Sequence, residues 1–447
     1  MKNNKKNLQK QIPKLALPVI LGLLVILIVL FAYLLSSTKK ELTSLQNENA
    51  MNKAEVLNLQ KDLSECNEKI IAYKGIYGRK IKIVKNNQDG YILYVDDEPF
   101  MVKGMGYNPT PIGKGYNYDL FKDENKPWLI DGLLMKEAGI NCVRIYSASD
   151  DLVLVAQFIR DMYDNYGIYT IMSDWLGLWD YPRANYADKE FQKKTKDRIL
   201  KMVSALKNEK GLLMWILGNE NNYTFSGQIG FWTSPEIELI EDPAKKKEKK
   251  AEIYYAFVND LAKEIKKIDN VHPVALGNGE EQYLNIARSK CPDIDLLAII
   301  FYRGKKFYDL FDKIRRSFDK PILVSEFGSD SYDSYNNTEV QNIQADFIIS
   351  QWEDIYKNTV LSGNQSGNVF GGCLFEWTDE WWKHNEGYTE DWSVHNTEAG
   401  WSQSAYYFDN KVKGEKNMNE EWFGVVALDE RVENGINQRL PKKSYYS

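Results

Sequence analysis

Eight apolar runs of strand length recur between residues 101 and 377, and helical segments separate most of them. The runs are 101–107, 141–147, 169–175, 212–220, 273–279, 296–302, 321–328 and 371–377. Helical periodicity marks 127–138, 153–166, 191–207, 251–268, 307–318 and 342–358. Strands alternating with helices imply a parallel sheet. Eight such units predict an α/β fold closed as a (β/α)8 TIM barrel. An open doubly wound sheet is the alternative. The link between the fifth and sixth strands leaves room only for a small helix. Ahead of the barrel, residues 80–85 and 91–95 alternate apolar and polar side chains around Asn87-Gln88-Asp89-Gly90, which predicts a β-hairpin. The barrel domain, hairpin included, is expected over 80–447.

The first 72 residues follow different rules. Residues 15–35 are uncharged and strongly apolar. At about 1.5 Å per residue they span a hydrocarbon core of about 30 Å. Lys2, Lys5, Lys6, Lys10 and Lys14 precede them. The positive-inside rule then predicts a cytoplasmic tail over 1–14, a transmembrane helix over 15–35, and an extracytoplasmic catalytic domain at the cell membrane. A cleaved signal peptide is the alternative, but its apolar core is shorter and a small-residue cleavage site follows it. Over 38–72, Leu42, Asn49, Val56, Leu63 and Ile70 fall at heptad a positions, and Leu45, Asn52, Leu59 and Cys66 at d positions. This seam predicts a short coiled-coil stalk and, through it, a parallel homodimer. A single amphipathic helix is the other reading.

Several function classes recede. A net charge of -6 lacks the basic footprint of a nucleic-acid binder. Cys66, Cys142, Cys291 and Cys373 form no CxxC pair, and His272, His384 and His395 have no metal-ligand spacing. Gly104 and Gly106 do not extend to a dinucleotide fingerprint. No metal and no cofactor are expected. The 12 Trp and 28 Tyr suit sugar binding, since indole and phenol rings stack on the apolar faces of sugars, though composition alone leaves a core role equally open.

In this fold the informative residues stand where strands end. The fourth run ends Gly218-Asn219-Glu220, and the seventh contains Glu326. Hydrolysis of a glycosidic bond with retention uses two carboxyl groups, about 5–5.5 Å apart. One is protonated to release the leaving oxygen; the other is ionised and attacks the anomeric carbon. Glu220 and Glu326 are placed to form that pair. Asn219 can bind a sugar hydroxyl. Arg144, ending the second run, favours an ionised neighbour, with a purely structural ion pair as the alternative. Tyr302, ending the sixth run, can hydrogen-bond the same carboxylate or simply pack in the core. Asp174 and Trp175 close the third run and are expected to touch substrate. Glu280, Glu376, Asp379 and Glu380 are competing carboxylates. Adjacent strand residues point oppositely, so only one of Glu376 and Trp377 faces the barrel; Trp377 is taken as the floor for a sugar ring.

Six segments carry a resemblance that covers residue 80 to the C-terminus. They are Val-Lys-Gly-Met-Gly-Tyr-Asn-Pro at 102–109, Leu-Met-Lys-Glu-Ala-Gly-Ile-Asn-Cys-Val-Arg-Ile-Tyr at 134–146 and Gly-Asn-Glu-Asn at 218–221. Glu-Phe-Gly at 326–328, Phe-Glu-Trp-Thr-Asp-Glu-Trp-Trp at 375–382 and Pro-Lys-Lys-Ser-Tyr-Tyr at 441–446 complete the set. They resemble the catalytic domain of glycoside hydrolase family 2. The opening segments also resemble the β-1,3-glucanosyltransferases of family 72, and the family 5 endoglucanases are a more distant likeness. The resemblance implies the clan with catalytic glutamates on barrel strands four and seven. It implies Asn219-Glu220 as the acid/base pair, Glu326 as nucleophile, and Arg144, Tyr302 and Trp377 in support.

The sequence also departs from that pattern. Only a hairpin precedes the barrel, where family 2 enzymes carry β-sandwich domains. Residues 221–250 form a long loop ending in a lysine-rich run, read as a cleft border or a solvated helix start. The eighth helix is missing, or the stalk end covers its place. Residues 381–422 form a long aromatic excursion, read as a substrate-facing loop, with a surface elaboration as the alternative. The expected activity is membrane-anchored, retaining hydrolysis of a β-linked glucan or related extracellular polysaccharide. The alternatives are a transglycosidase of the same mechanism, an inactive glycan-binding scaffold, and a stalk whose main task is to recruit a partner.

Overall fold

The structure, a computed structural model, describes residues 22, 25, 27–47, 53, 80–333, 336–383, 392–397 and 418–447. The chain divides into two units, Met1–Gly78 and Arg79–Ser447. In the first, residues 27–47 form a helix with exposed side chains. Among the described residues no helix is long and apolar enough to cross a membrane. Most of the first half of the expected span 15–35, and most of the expected stalk 38–72, lie outside the described residues.

The second unit contains a closed barrel of eight parallel strands. In chain order they are Val102–Gly106, Cys142–Ile145, Tyr169–Asp174, Leu212–Leu217, Val274–Gly279, Leu296–Ile300, Ile322–Phe327 and Val369–Leu374. Each expected run supplies one strand, and the eighth strand pairs with the first to close the ring. The fourth apolar run extends to Glu220, but its ladder stops at Leu217. Gly218 turns the chain there with φ at +84°, a conformation in which glycine has no Cβ to clash.

Two apolar layers sandwich the barrel wall. The inner one joins Ile171, Leu213, Ala298 and Leu323 of the strands to Ile81, Leu93 and Val95 of the hairpin. The hairpin pairs Ile81–Lys85 with Tyr91–Val95, setting Ile81 opposite Val95 and Ile83 opposite Leu93. Its apolar face therefore packs as one unit against the barrel interior, and a two-residue strand, Glu98–Pro99, extends it. The outer layer packs strands against helices Trp128–Glu137, Leu152–Tyr166, Lys189–Leu206, Pro243–Ile268, Leu284–Lys290, Leu310–Ser317 and Gln341–Lys357.

Local chemistry fixes several of these helices. Asp151 accepts from the backbone N–H of Val153 and Leu154, and Gly167 ends the same helix at φ +72°. Such an N-cap stabilises a helix by about 1 kcal/mol. Asp242 caps the helix that Pro243 opens, as proline at the first helical position allows. The lysine-rich run is thus the start of a 26-residue helix. Lys246 and Lys249 pair with Glu238 and Glu236.

The place of an eighth helix is filled differently. After the eighth strand, Val426–Glu433 and Ile436–Pro441 form an antiparallel hairpin, followed by a 3-10 turn at Lys443–Tyr446. Tyr445 donates to the Leu134 carbonyl on the first helix, and Ser444 to Gln344 on the seventh. The turn therefore bridges the two helices that flank the gap. Behind it, the fully buried Lys442 donates to Asp379 at 2.7 Å and to Ser331 at 2.8 Å.

Candidate active site

Arg144 organises the mouth of the barrel. It projects from the second strand and is fully buried. Its Nη1 donates to Glu326 Oε1 at 2.8 Å and to the Ser325 carbonyl at 3.0 Å. Its Nη2 donates to Asn219 Oδ1 at 2.7 Å, and its Nε to Ser173 Oγ at 3.3 Å. One planar guanidinium thus ties strands two, three and seven to the loop after strand four, a task suited to its fixed fork of donors.

Glu326 sits on the seventh strand and is buried. Its second oxygen accepts from the Tyr302 hydroxyl at 3.1 Å. Burial holds its pKa above the usual carboxylate range, and Arg144, Lys383 and the Tyr302 hydrogen bond offset only part of that rise. Glu220, half-buried, has no side-chain hydrogen bond among the described residues. Burial, and then the charge of Glu326, push its pKa up to about 8. The two carboxyls are therefore electrostatically coupled but unlike: one is held by cation and hydroxyl, the other favours its proton. Opposed environments of this kind separate the acid from the base in a carboxyl pair.

The loop carrying Glu220 is fixed on both sides. Asn221 accepts from the Asn219 N–H and donates to the Trp175 carbonyl and the Tyr186 hydroxyl. Asn222 exchanges two hydrogen bonds with the Gly279 backbone at the end of strand five. A Cβ on Gly218 would lie 2.3 Å from the Tyr254 hydroxyl oxygen. Because Asn219 spends its oxygen on Arg144, its amide N–H groups stay available to a ligand.

Six of the eight sequence-derived residues gather around Arg144: Glu220, Glu326, Asn219, Tyr302, Arg144 itself and Trp175. Trp175 joins through Tyr146, on which it stacks at 5.3 Å and 22°. The Arg144 guanidinium carbon lies 4.5 Å from the same Tyr146 ring.

The other two are corrected. Asp174 is not free to meet substrate: its oxygens accept from Arg198, one at 3.0 Å, and from the Leu176 N–H at 2.8 Å. It is an ion-paired brace for the loop after strand three. Trp377 is not the floor of the site. Fully buried, it packs 6.1 Å from the Tyr445 ring in the outer layer. Strict alternation fails there because the eighth strand ends at Leu374. The Phe375–Glu376 peptide bond is cis. The ring at the mouth is Phe375, edge-on to Tyr146 and to Tyr302, each at 6.4 Å.

Sequence reasoning also missed Tyr146, Phe375, Tyr223 and Lys383. Tyr146 ends segment 134–146 and Phe375 opens segment 375–382. The Tyr146 hydroxyl is buried with no hydrogen-bond partner among the described residues. Tyr223 follows Glu220 by three residues, and its pKa is raised by burial and then by Glu220. Lys383 pairs with Glu420 at 3.0 Å and Glu380 at 3.4 Å, and its Nζ lies 5.8 Å from the centre of the Phe375 ring. Of the aromatic excursion, Trp381, His395 and Trp422 form a stack with ring distances of 4.7 and 3.5 Å; residues 384–391 and 398–417 lie outside the described residues. Among the described residues, no group of three or more His, Cys, Asp and Glu is arranged to hold a metal ion.

The chain is 26% identical over 314 residues to the probable 1,3-beta-glucanosyltransferase GAS3 of Saccharomyces cerevisiae, covering 64% of this chain and 53% of that protein. It is 24% identical over 150 residues to a beta-galactosidase of Leuconostoc mesenteroides, covering 33% of this chain and 14% of that enzyme. The chain thus spans about half of the first relative and a smaller part of the second. Among solved structures, a Bacteroides uniformis beta-glucuronidase aligns with a TM-score of 0.48 and 15% identity, over 82% of this chain and 36% of that one. A family 5 mannosidase of Rhizomucor miehei aligns with a TM-score of 0.48 and 14% identity, over 77% and 93%. The family model described as "Glycosyl hydrolases family 2, TIM barrel domain" matches residues 88–372, from the hairpin turn to the eighth strand. By that match, which spans more than half of its length, the chain belongs to glycoside hydrolase family 2 through its TIM-barrel domain.

Proposed function

We propose that the chain is a retaining β-glycosidase acting on a β-linked glucan or related polysaccharide, with Glu326 as nucleophile and Glu220 as acid/base. The observation that carries this reading is the unequal treatment of the two carboxyls. Arg144 and Tyr302 each hydrogen-bond Glu326, whereas Glu220 is pushed up to about 8. In the first step Glu326 attacks the anomeric carbon, and Glu220 gives its proton to the departing oxygen. In the second, Glu220 takes a proton from the acceptor, whose oxygen displaces Glu326. The free amide N–H of Asn219 and the unpartnered Tyr146 hydroxyl are donors for sugar hydroxyls beside the reacting carbon.

The acceptor is water or another sugar. The 26% likeness to a protein named as a probable 1,3-beta-glucanosyltransferase supports a sugar acceptor as the second reading. The apolar run at 15–35 behind five lysines supports work at a membrane, on a polymer made or exported nearby.

Product profiling tests the reading. The full chain and Glu326→Gln are incubated with β-1,3-glucan, β-1,4-glucan and β-1,4-mannan, and products are sized by mass spectrometry. Shorter chains from wild type alone are expected for hydrolysis, and lengthened chains for transfer. Retention of a polymer by both proteins, with no product from either, would replace the enzyme with a glycan-binding scaffold.

A further inference from the structure

We propose that the loop after strand three carries a stacking platform, built on Trp179, for a second sugar ring of a β-linked chain. The inference rests on the carboxylate-pair reading and extends it from a reacting sugar to an oligomeric substrate.

Four ring and cation contacts run outward from Glu326 without a break. Arg144, bound to Glu326, lies against Tyr146; Tyr146 stacks on Trp175; Trp175 meets Trp179 at 6.4 Å and 82°. Exposure rises along that line. Tyr146 and Trp175 are half-buried, while Trp179 is 44% exposed and Tyr181, two residues on, is 98% exposed. Trp179 is thus an indole in solvent, connected through rings to the candidate nucleophile.

The loop does not expose these rings for want of a core. Leu176, Leu178 and Ala184 of the same segment are buried, while Trp179 and Tyr181 are exposed. Asp174, braced by Arg198, accepts from the Leu176 N–H and so fixes the loop where it leaves the strand. Arg183 lies 5.4 Å from the centre of the Trp179 ring and donates to the Leu178 carbonyl at 2.9 Å, so the cation beside the indole is itself tied to the loop. A Cβ on Gly230 in the loop after strand four would lie 3.7 Å from Arg183 Cδ, so the two loops meet at this clamp. The indole is preorganised, and little ordering is left for a ligand to drive.

An indole with a wet surface and a fixed orientation suits a partner that is apolar on one face and hydroxylated around its rim. A β-linked hexose whose hydroxyls are equatorial has that form: its axial C–H bonds make an apolar face. The occupant is therefore the neighbouring residue of the same β-linked chain whose reacting sugar lies at Glu220 and Glu326.

The test compares wild type with Trp179→Ala and Trp179→Phe, all as the full chain and matched by circular dichroism. Turnover is measured on an activated single-sugar aryl β-glycoside and on β-linked oligosaccharides of increasing length. The ratio of kcat/KM for long over short substrates should fall about tenfold in Trp179→Ala and recover in Trp179→Phe. An unchanged ratio in Trp179→Ala overturns the platform. A second arm is independent of turnover: retention of Glu326→Gln and Glu326→Gln/Trp179→Ala is compared in gels cast with β-1,3-glucan, β-1,4-glucan or β-1,4-mannan. Loss of retention with Trp179 upholds the platform even if wild type proves inert, which would instead defeat the catalytic reading. Equal migration of the two proteins in all three gels overturns the platform.

Discussion

Arg144 donates to Glu326 at 2.8 Å from full burial, and the same guanidinium reaches Asn219 at 2.7 Å. The cation that steadies one candidate catalytic carboxylate therefore also orients the amide beside the other. Replacing it by lysine keeps the charge but loses the fork. Arg144→Lys should lower kcat at least tenfold, because Asn219 and Glu326 can no longer both be held. Steady-state kinetics on the best substrate checks this, and wild-type kcat in the variant would remove Arg144 from the account.

The raised pKa of Glu220 sets an alkaline limit. As the acid it must be protonated in the free enzyme, so kcat/KM should fall above about pH 8. Part of that elevation comes from the charge of Glu326. Glu326→Gln removes a negative neighbour, which lowers a carboxyl pKa. Carbon-13 NMR of labelled glutamate should show Glu220 titrating at lower pH in Glu326→Gln than in wild type. An identical midpoint would mean that the two groups do not sense each other.

The same shift has a stability consequence. A carboxyl whose pKa is higher in the folded state than in the unfolded one stabilises the fold at low pH. That contribution is lost as pH rises from about 4.5 through about 8. Glu220→Gln imitates the protonated form at every pH. The two proteins should melt together near pH 5, and the variant should melt several degrees higher near pH 9. A Tm difference that does not change with pH would contradict the half-buried, proton-holding environment assigned to Glu220.

Stability should also depend on Lys442. Its ammonium is fully buried between Asp379 and Ser331. Removing one partner of a buried ion pair typically costs about 3–5 kcal/mol, because the other charge is stranded. Lys442→Met should lose about that much in urea unfolding, and Lys442→Met/Asp379→Asn should recover part of it. A loss under about 1 kcal/mol would show that the pair is not sealed from water.

The barrel was legible because its signal is local and repeated. Strands buried on both faces read as continuous apolar runs, so strands such as Leu212–Leu217 stand out without knowledge of their neighbours. Glu220 and Glu326 followed from position, since strand ends converge at one mouth. What escaped depended on contacts distant in sequence. Asp174 stands at the end of strand three as a substrate ligand would, and only the approach of Arg198 from a helix shows it to be spent. Trp377 was chosen by extending strand alternation past Leu374, where the ladder has ended, and Phe375 was overlooked for the same reason. The 3-10 turn bridging the first and seventh helices has no helical periodicity to announce it; Tyr445 fills that gap by packing on Trp377 and bonding Leu134.

The central claim is that Glu326 forms a covalent bond to the sugar. The most direct measurement is peptide mapping after exposure to a panel of activated 2-deoxy-2-fluoro-β-glycosides. The fluorine slows both steps, and the good leaving group restores the first, so the glycosyl-enzyme accumulates. A mass increase of one fluoroglycosyl unit on the peptide bearing Glu326, absent in Glu326→Gln, is the predicted result. A label on Glu220 or any other carboxyl would contradict the account, as would turnover of the parent glycoside with inverted anomeric configuration.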